Sequence, residues 1–400
     1  MSSIAEFAGP HRTDLAHHVT AARSTPIERG VAVIDAATLS GPGRQLVALC
    51  AALRAQGVDM QVVTFLRRGR PESALVTQLQ RERVPVTVIA EHGAADVGLV
   101  ARLRAVISSI DPQFVQTHGY RPTALMYALR RGGATWPWIA YYHGATTENW
   151  KVRAYHWLDQ RLMPAADRIV VMSSRHERTA PARAAGRVRV IHNAAIPERL
   201  DPAVVADVED RLARLTLRRP VIGVVGRLSS EKGVDIFLDA ARLLMQRGVD
   251  FSTVIVGDGP DRQALEQTSA AFGLQDRVQF VGAVKAVDPV YRRIDLLVIP
   301  SRSEGLPNVL LEALAADLPC VATDVGAVPE VLSVPNAGVL VSPGSAEQIA
   351  DGIVAGLALC HSQEAAAARR AVVERFSLGH RVERHLALYG DLLPAREQGR

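Results

Sequence analysis

The chain has 400 residues, of which 48% are hydrophobic and 22% are charged. This composition is typical of globular proteins and excludes a largely disordered or fibrous chain. The length predicts two domains of roughly 150–200 residues each. The net charge of +5 is unevenly spread, because residues 1–200 hold 25 Lys and Arg against 15 Asp and Glu. This excess favours contact with an anionic membrane, phosphorylated lipid or acidic glycan, unless it is only a solvated arginine-rich surface.

Cysteine usage and hydropathy predict the compartment. Cys50, Cys320 and Cys360 are far apart and lack the spacing of metal ligands, so we expect neither disulfides nor a metal site. No apolar run is long enough for a transmembrane helix, and the N-terminus lacks a signal-peptide pattern. We therefore expect a cytoplasmic protein, with peripheral contact at the inner membrane face as an alternative. No nucleic-acid-binding motif is found.

Short Val/Ile-rich runs alternate with helical patterns along the first half of the chain. Such runs predict strands that are buried on both faces of a parallel sheet, joined by helices. The predicted strands are residues 31–37, 60–66, 85–90, 114–119, 138–144, 168–173 and 188–194.

The same alternation restarts after Pro220. Its predicted strands are residues 221–227, 252–259, 277–282, 295–300, 319–324 and 338–343. We predict an α/β fold of two facing, Rossmann-like, doubly wound parallel-sheet domains with a C-terminal helix that returns to the first domain. The predicted divisions are a disordered N-terminus (1–27), a first domain (28–200), a linker (201–220), a second domain (221–375) and the returning helix (376–395).

The segment VIGVVGRLSSEKG (221–233) places two cations after a strand. Arg227 and Lys232 follow Gly226, and a glycine turn with two cations suits a diphosphate. Lys232 is one of only three lysines in the chain, which favours a specific role. The alternative is an exposed turn whose charges are solvated.

The most informative segment is residues 300–330, PSRSEGLPNVLLEALAADLPCVATDVGAVPE. A strand ends at Pro300, a loop carries Glu304, Gly305 and Leu306, and Pro307 suits a first helical turn. The N–H groups at the start of that helix can bind a phosphate. The carboxylates of Glu304 and Glu312 suit sugar and ribose hydroxyls, although an acid near a helix start also simply favours the helix dipole.

Three further features follow predicted strands but are less specific. Gly257 and Gly259 begin a dinucleotide-like fingerprint, which Arg262 breaks, so a tight turn explains them equally well. Gly41 and Gly43 allow close approach of a ligand, although no P-loop sequence follows them. His118 and His143 each precede a glycine at a strand end. A lone histidine is usually structural or on the surface, but two His-Gly pairs at successive strand ends favour a functional role.

Together, the segments VVGRLSSEKG, IVGDGP and SRSEGLPNVLLEALAADLPCVATDVGAVPE resemble glycosyltransferase family 4, which contains retaining transferases of the GT-B fold. The resemblance covers nearly all of residues 30–390 and is most specific over 221–345. Its hallmark, a Glu-x7-Glu pair, is matched by Glu304 and Glu312. Asn193 matches an Asn-Gly turn of the family, with Ala194 in place of the glycine, which puts the local turn geometry in question.

The resemblance implies a role for each matched residue. On the donor side, Arg227 and Lys232 bind the diphosphate, Glu304 with Gly305 and Leu306 holds the sugar, and Glu312 binds the ribose. The backbone near Val284 meets the nucleobase, and Gly41 and Gly43 lie near the distal phosphate. His143 lies near the reacting carbon, and His118 and Tyr120 face the acceptor. The catalytic set would be His143, Arg227, Lys232 and Glu304. No cofactor is implied, and the two cations would replace a metal ion.

The implied function is transfer of a sugar from a UDP- or GDP-linked donor to a glycan or lipid-linked acceptor, as in polysaccharide or glycolipid synthesis. A GT-B epimerase or phosphorylase is an alternative within enzymes. A non-catalytic sugar-nucleotide-binding scaffold is an alternative from another class. It is disfavoured because the phosphate cations Arg227 and Lys232 and both glutamates are present.

Overall fold

The structure is a computed structural model of the chain. It describes residues 26–36, 38–67, 69, 73–93, 96–144, 150–180, 182–196 and 201–393. Nearly all of the predicted disordered segment, residues 1–27, lies outside the described residues.

The first domain is a seven-stranded parallel sheet in the order β3-β2-β1-β4-β5-β6-β7. Its strands are β1 (Arg29–Ile34), β2 (Asp59–Arg67), β3 (Val86–Glu91), β4 (Phe114–His118), β5 (Trp138–Tyr142), β6 (Arg168–Val171) and β7 (Val188–Val190). The helices are α1 (Gly41–Ala55), α2 (Ala74–Arg81), α3 (Leu99–Ile110), α4 (Tyr120–Arg131), α5 (Trp150–Leu162) and α6 (Ser174–Arg178). Every residue of β4 and β5 is buried, as their continuous apolar runs predicted.

The second domain is a six-stranded parallel sheet in the order β10-β9-β8-β11-β12-β13. Its strands are β8 (Val221–Val225), β9 (Ser252–Val256), β10 (Val278–Gly282), β11 (Leu296–Ile299), β12 (Cys320–Thr323) and β13 (Val339–Val341). The helices are α7 (Pro202–Ala213), α8 (Val234–Gln246), α9 (Arg262–Ala271), α10 (Asp288–Arg293), α11 (Asn308–Ala315), α12 (Val328–Val331), α13 (Ala346–Ala358) and α14 (Gln363–Arg375). The last helix, α15 (Leu378–Leu392), follows α14.

Strand order reverses at one place in each sheet, between β1 and β4 and between β8 and β11. In open α/β sheets, ligands bind in the crevice beyond these switch points. Gly41, at the start of α1, and His118, at the end of β4, lie at the first switch point, and the loops that carry Arg227 and Glu304 leave the second. The fold therefore directs four predicted site segments toward the space between the domains.

The segment predicted as a linker, residues 201–220, contains a helix that the sequence pattern did not predict. In α7, Asp201 caps the helix start, Pro202 occupies its first turn, and Val208 and Leu212 are buried. Arg211 donates to the carbonyl of Ala283 at 3.3 Å. The first part of the linker is thus packed onto the second domain.

The C-terminal helix returns to the first domain, as predicted. In α15, the ring of Tyr389 stacks on Phe114 of β4 with 4.1 Å between centroids. Arg381 donates to the backbone carbonyl of Gln45 in α1 at 3.1 Å. The last helix in the sequence thereby becomes part of the core of the first domain.

Candidate functional site

A cleft of about 290 Å³ lies between the two domains. Eight of the predicted site residues line it, namely Gly41, His143, Arg227, Lys232, Glu304, Gly305, Leu306 and Glu312. Asn193, also predicted, lines the same cleft. Residues from four strand ends and three helix starts, spread over more than half of the chain, thus meet in one space.

The loop carrying Arg227 is fixed by two glycines of the neighbouring loop. A Cβ atom on Gly257 would lie 1.8 Å from the carbonyl oxygen of Gly226, and one on Gly259 would lie 2.2 Å from that of Leu228. The backbone N–H of Leu228 donates to Asp258 at 3.0 Å. Close packing against this loop therefore accounts for the G-x-G sequence, which positions the exposed Arg227 at the cleft.

Lys232 and Glu304 form an ion pair within the cleft. The Lys232 Nζ donates to Glu304 Oε1 at 2.7 Å, and Ser301 Oγ donates to the same oxygen at 2.8 Å. The other carboxylate oxygen of Glu304 has no hydrogen bond to a described residue. The backbone at Gly233 packs so closely on Pro300 that a Cβ atom there would lie 2.1 Å from its carbonyl oxygen. This contact fixes the turn that holds Lys232.

Glu312 is held by a residue that sequence analysis did not identify. The Tyr291 hydroxyl donates to Glu312 Oε2 at 2.9 Å, and Arg44 lies 3.9 Å from Oε1. Burial and the neighbouring carboxylate raise the pKa of Tyr291 well above its usual value. The tyrosine therefore remains a hydrogen-bond donor at neutral pH and orients Glu312 in the second turn of α11.

Two helix N-termini from opposite domains meet at this cleft. The first residues of α1 and α11, Gly41 and Asn308, both line it. A Cβ atom on Gly41 would lie 3.0 Å from Asn308 Nδ2. Pro307 directly precedes α11 as its N-cap, one position before the predicted first turn. The N–H groups and partial positive charges of both helix starts favour an anion here.

His118 and His143 form a pair of buried imidazoles at the first-domain side of the cleft. Their nearest nitrogens, His118 Nδ1 and His143 Nε2, are 3.1 Å apart. Burial, together with the positive charge of Arg381, lowers the pKa of His143 to about 4. Burial also lowers the pKa of His118 well below its usual value. Both rings are therefore neutral at pH 7 and act as hydrogen-bonding groups.

Four predicted site residues lie outside the lining of the cleft. His118 lies behind His143, and Gly43 is in the first turn of α1, where its N–H donates to Ser40 Oγ at 3.4 Å. Tyr120 begins α4 and is exposed, with its ring stacked on Tyr155 at 4.3 Å between centroids. Val284, between β10 and α10, is half-buried against the hydrophobic core.

A buried amide, which the sequence analysis missed, connects four parts of the chain. Gln45 Nε2 donates to the Ala194 carbonyl at 2.8 Å and to Asn308 Oδ1 at 3.2 Å, and Gln45 Oε1 accepts from the Ala194 N–H at 3.0 Å. Arg381 also donates to Gln45 Oε1. Ala194 has no positive φ, so alanine is compatible with the turn where the family has glycine. A lone glutamine in an apolar helix gave no signal of this role.

The domains touch directly beside the cleft. A Cβ atom on Gly305 would lie 2.3 Å from the carbonyl oxygen of His143. Further from the cleft, Glu330 of the second domain accepts from the Ser174 N–H at 2.8 Å and pairs with His192 at 2.7 Å. Glycine at position 305 therefore permits a close approach of the two domains at the cleft.

The described residues contain neither a cluster of metal-binding side chains nor a membrane span. Within these residues, no three His, Cys, Asp or Glu side chains are grouped as metal ligands would be. Among the described helices, none combines the length and the hydropathy needed to cross a bilayer.

Both halves of the chain match known glycosyltransferase families. Residues 39–199 match the family described as Glycosyltransferase Family 4, and residues 219–358 match Glycosyl transferases group 1. The chain belongs to the family 4, group 1 glycosyltransferases. It is 38% identical over 155 residues to an alpha-D-kanosaminyltransferase of Streptomyces kanamyceticus, which covers 37% of this chain and 40% of that protein. It is 31% identical over 196 residues to the lipopolysaccharide core biosynthesis mannosyltransferase LpcC of Rhizobium leguminosarum bv. viciae, covering 46% of this chain and 55% of LpcC. The matches thus span only about half, or less, of these curated relatives.

The fold of this glycosyltransferase family member is similar to solved structures over its whole length. A glycosyltransferase from Rickettsia africae ESF-5 superimposes with a TM-score of 0.72 at 19% identity, covering 92% of this chain and 98% of that one. HepE of Anabaena, solved in complex with UDP-glucose, has a TM-score of 0.72 at 20% identity, covering 91% of this chain and 100% of that one. These likenesses establish the two-domain GT-B fold.

Proposed function

We propose that the protein transfers a sugar from a nucleoside diphosphate sugar to an acceptor, with retention of anomeric configuration. The observation that carries the proposal is that Arg227, Lys232, Glu304 and Glu312 line one interdomain cleft. A non-catalytic sugar-nucleotide-binding scaffold is disfavoured, because such proteins usually lose a phosphate cation or the first glutamate, and all four side chains are present here. The proposal is also supported by the UDP-glucose bound in HepE, whose fold is similar.

The donor diphosphate is held where the positive charges converge. Arg227 and Lys232 approach from the second domain, and the starts of α1 and α11 add their N–H groups. When the glycosidic bond breaks, negative charge grows on the leaving diphosphate, and these fixed donors stabilise it. One such donor typically contributes about 3–4 kcal/mol to lowering the barrier. The two side chains thereby supply the charge neutralisation that a divalent cation supplies elsewhere, so we propose a metal-independent reaction.

Glu304 binds the donor sugar, and Glu312 binds the ribose. Glu304 Oε1 is occupied by Lys232 and Ser301, which leaves Oε2 to accept from a hydroxyl of the transferred sugar. Glu312 Oε2 is occupied by Tyr291, which leaves Oε1 for a ribose hydroxyl. Backbone atoms near Val284 contact the nucleobase.

His143 orients the reacting groups without exchanging a proton. A neutral imidazole with a pKa of about 4 is a poor general acid at pH 7, because it is already deprotonated. In same-face attack, the acceptor hydroxyl bonds to the anomeric carbon as the carbon–diphosphate bond breaks, and the leaving phosphate takes the acceptor proton. His118, buried behind His143, holds the His143 ring through the 3.1 Å contact and so positions it without facing the acceptor directly. The exposed Tyr120 faces the acceptor.

The acceptor is a glycan or a lipid-linked glycan, reached from the first domain. Tyr155 and Trp157 of α5 are exposed, and the Arg161 guanidinium lies 4.5 Å from the centre of the Trp157 ring. Exposed aromatic and basic side chains on one helix suit the surface of an anionic membrane. We propose that this face touches the membrane peripherally, in line with the positive charge of the first half.

The experiment that tests the function supplies UDP-glucose, UDP-N-acetylglucosamine or GDP-mannose, each with and without glycan and lipid-linked acceptors. Release of nucleoside diphosphate only with an acceptor, and a product with the donor's anomeric configuration by NMR, would support the proposal. A changed sugar nucleotide formed without acceptor would instead indicate an epimerase. Binding of nucleotide with no turnover for any pair would favour the scaffold.

A further inference from the structure

A second, smaller cavity of about 30 Å³ lies where the segment that follows β7 meets the turn between α14 and α15. Eight residues line it, namely His192, Asn193, Arg375, Phe376, Ser377, His380, Arg381 and Arg384. Five of the eight are arginine or histidine, and none is acidic. A cavity whose walls carry this much basic character favours an anion.

The most buried basic residue of this lining is Arg381, which is only 4% exposed. Its Nη1 donates to Gln45, but its Nε is buried without a hydrogen-bond partner among the described residues. No described carboxylate forms an ion pair with it, and the nearby Tyr141, Tyr389 and Cys50 are neutral at pH 7 because burial raises their pKa values. A buried guanidinium without a counter-charge is costly, and a bound anion would offset that cost.

The start of α15 adds a further positive contribution. This helix has 15 residues, and Ser377, its N-cap, lines the cavity. The Ser377 Oγ accepts from the His380 N–H, while the remaining N–H groups of the first turn leave the helix with its positive end at the cavity. Of the basic residues, His192 is paired with Glu330, so the arginines supply most of the available charge.

The size of the cavity restricts the ligand. A cavity needs roughly 10–15 Å³ of free volume, measured in the same way, to hold one water molecule. The 30 Å³ present here therefore suits a small oxyanion and excludes a nucleotide or a sugar ring.

We propose that this cavity binds a phosphate group and is distinct from the donor cleft. Arg375, Arg381 and Arg384 bind the phosphate oxygens together with the start of α15. Asn193 lines both cavities and donates to Asn308 Oδ1 at 3.0 Å, so a phosphate bound here contacts the segment that joins the domains. The ligand is either free inorganic phosphate or the phosphomonoester headgroup of a lipid.

Calorimetric titration of the full chain with inorganic phosphate at low ionic strength tests this site. The variants are Arg384→Gln, which removes one charge from the lining, and Lys232→Ala, which weakens phosphate binding in the donor cleft. Arg370→Gln is the matched control, because Arg370 is an exposed arginine of α14 outside the lining. For this cavity we expect roughly tenfold weaker binding in Arg384→Gln, since hydrogen bonds to charged groups are lost, and wild-type affinity in Arg370→Gln. In Lys232→Ala only the donor-cleft component of the titration should weaken, while this cavity keeps its wild-type affinity.

A phosphate affinity that falls only in Lys232→Ala would overturn the proposal, because the ion would then belong to the donor cleft. Absence of binding, or equal affinity in Arg384→Gln and Arg370→Gln, would overturn it as well. Sedimentation with phosphatidylcholine vesicles, with and without phosphatidic acid, distinguishes a lipid headgroup from free inorganic phosphate as the ligand. Phosphatidic-acid-dependent sedimentation that is lost in Arg384→Gln supports the lipid headgroup, whereas Arg384-dependent binding of phosphate alone supports the free ion.

Discussion

Acid should destabilise the first domain through its buried histidines. Burial lowers the pKa of His143 to about 4 and that of His385 to about 3, and it lowers the pKa of His118 well below 6.5. Between pH 4.5 and 6, His143 and His385 take up protons in the unfolded chain but largely not in the folded one. Asp159 opposes them, because burial raises its pKa to about 6 and it is protonated mainly in the folded state. Two histidines minus one aspartate leave about one extra proton in the unfolded chain.

One proton corresponds to a free energy of unfolding that falls by about 1.4 kcal/mol from pH 6 to pH 5. Urea unfolding followed by tryptophan fluorescence measures this, since all four tryptophans lie between residues 136 and 157 of the first domain. His385→Phe should lower the slope by about 1.4 kcal/mol per pH unit. His361→Gln, which removes an exposed imidazole, is the matched control. Equal unfolding free energies at pH 5 and pH 6 would refute the assignment of buried neutral rings.

Three substitutions probe the cleft. Glu304→Ala should reduce turnover while the melting temperature stays within a few degrees of wild type, and full activity would remove Glu304 from sugar binding. Gly305→Ala places a Cβ atom 2.3 Å from the His143 carbonyl oxygen, so we expect lower turnover and roughly 1–3 kcal/mol lower stability; wild-type values in both assays would contradict this domain contact. Tyr291→Phe releases Glu312 and should raise the KM for the donor about tenfold with a smaller change in kcat; an unchanged KM would show that Tyr291 does not orient Glu312.

Most of the fold could be predicted from the sequence, because buried parallel strands appear there as continuous apolar runs. Each of the thirteen predicted runs overlaps one of the thirteen strands of the described chain. Helix α7 was missed because its charged residues obscure a short apolar stripe, of which Val208 and Leu212 are the buried members. Periodicity indicates which face of an element is buried, but not what it packs against.

Less of the candidate site than of the fold could be predicted from the sequence. Residues such as Lys232 and Glu304 follow strand ends, and parallel strands bring their carboxyl ends to one edge of the sheet. The contacts that support these residues depend on tertiary structure, and no local sequence pattern predicts them. Arg381 and Gln45 are 336 positions apart, and Tyr291 precedes Glu312 by 21. Such partners are identified only once the returning helix and the packing of α10 on α11 are known.

The measurement that tests the central claim most directly is the melting temperature of the protein with UDP, GDP, ADP and their common sugar conjugates, without added metal. Wild-type protein should be stabilised by one family of nucleotides, Lys232→Ala should lose most of that shift, and Arg247→Ala, at an exposed cation of the second domain, should keep it. A shift of equal size in all three proteins, or none with any nucleotide, would contradict a donor site built on Lys232.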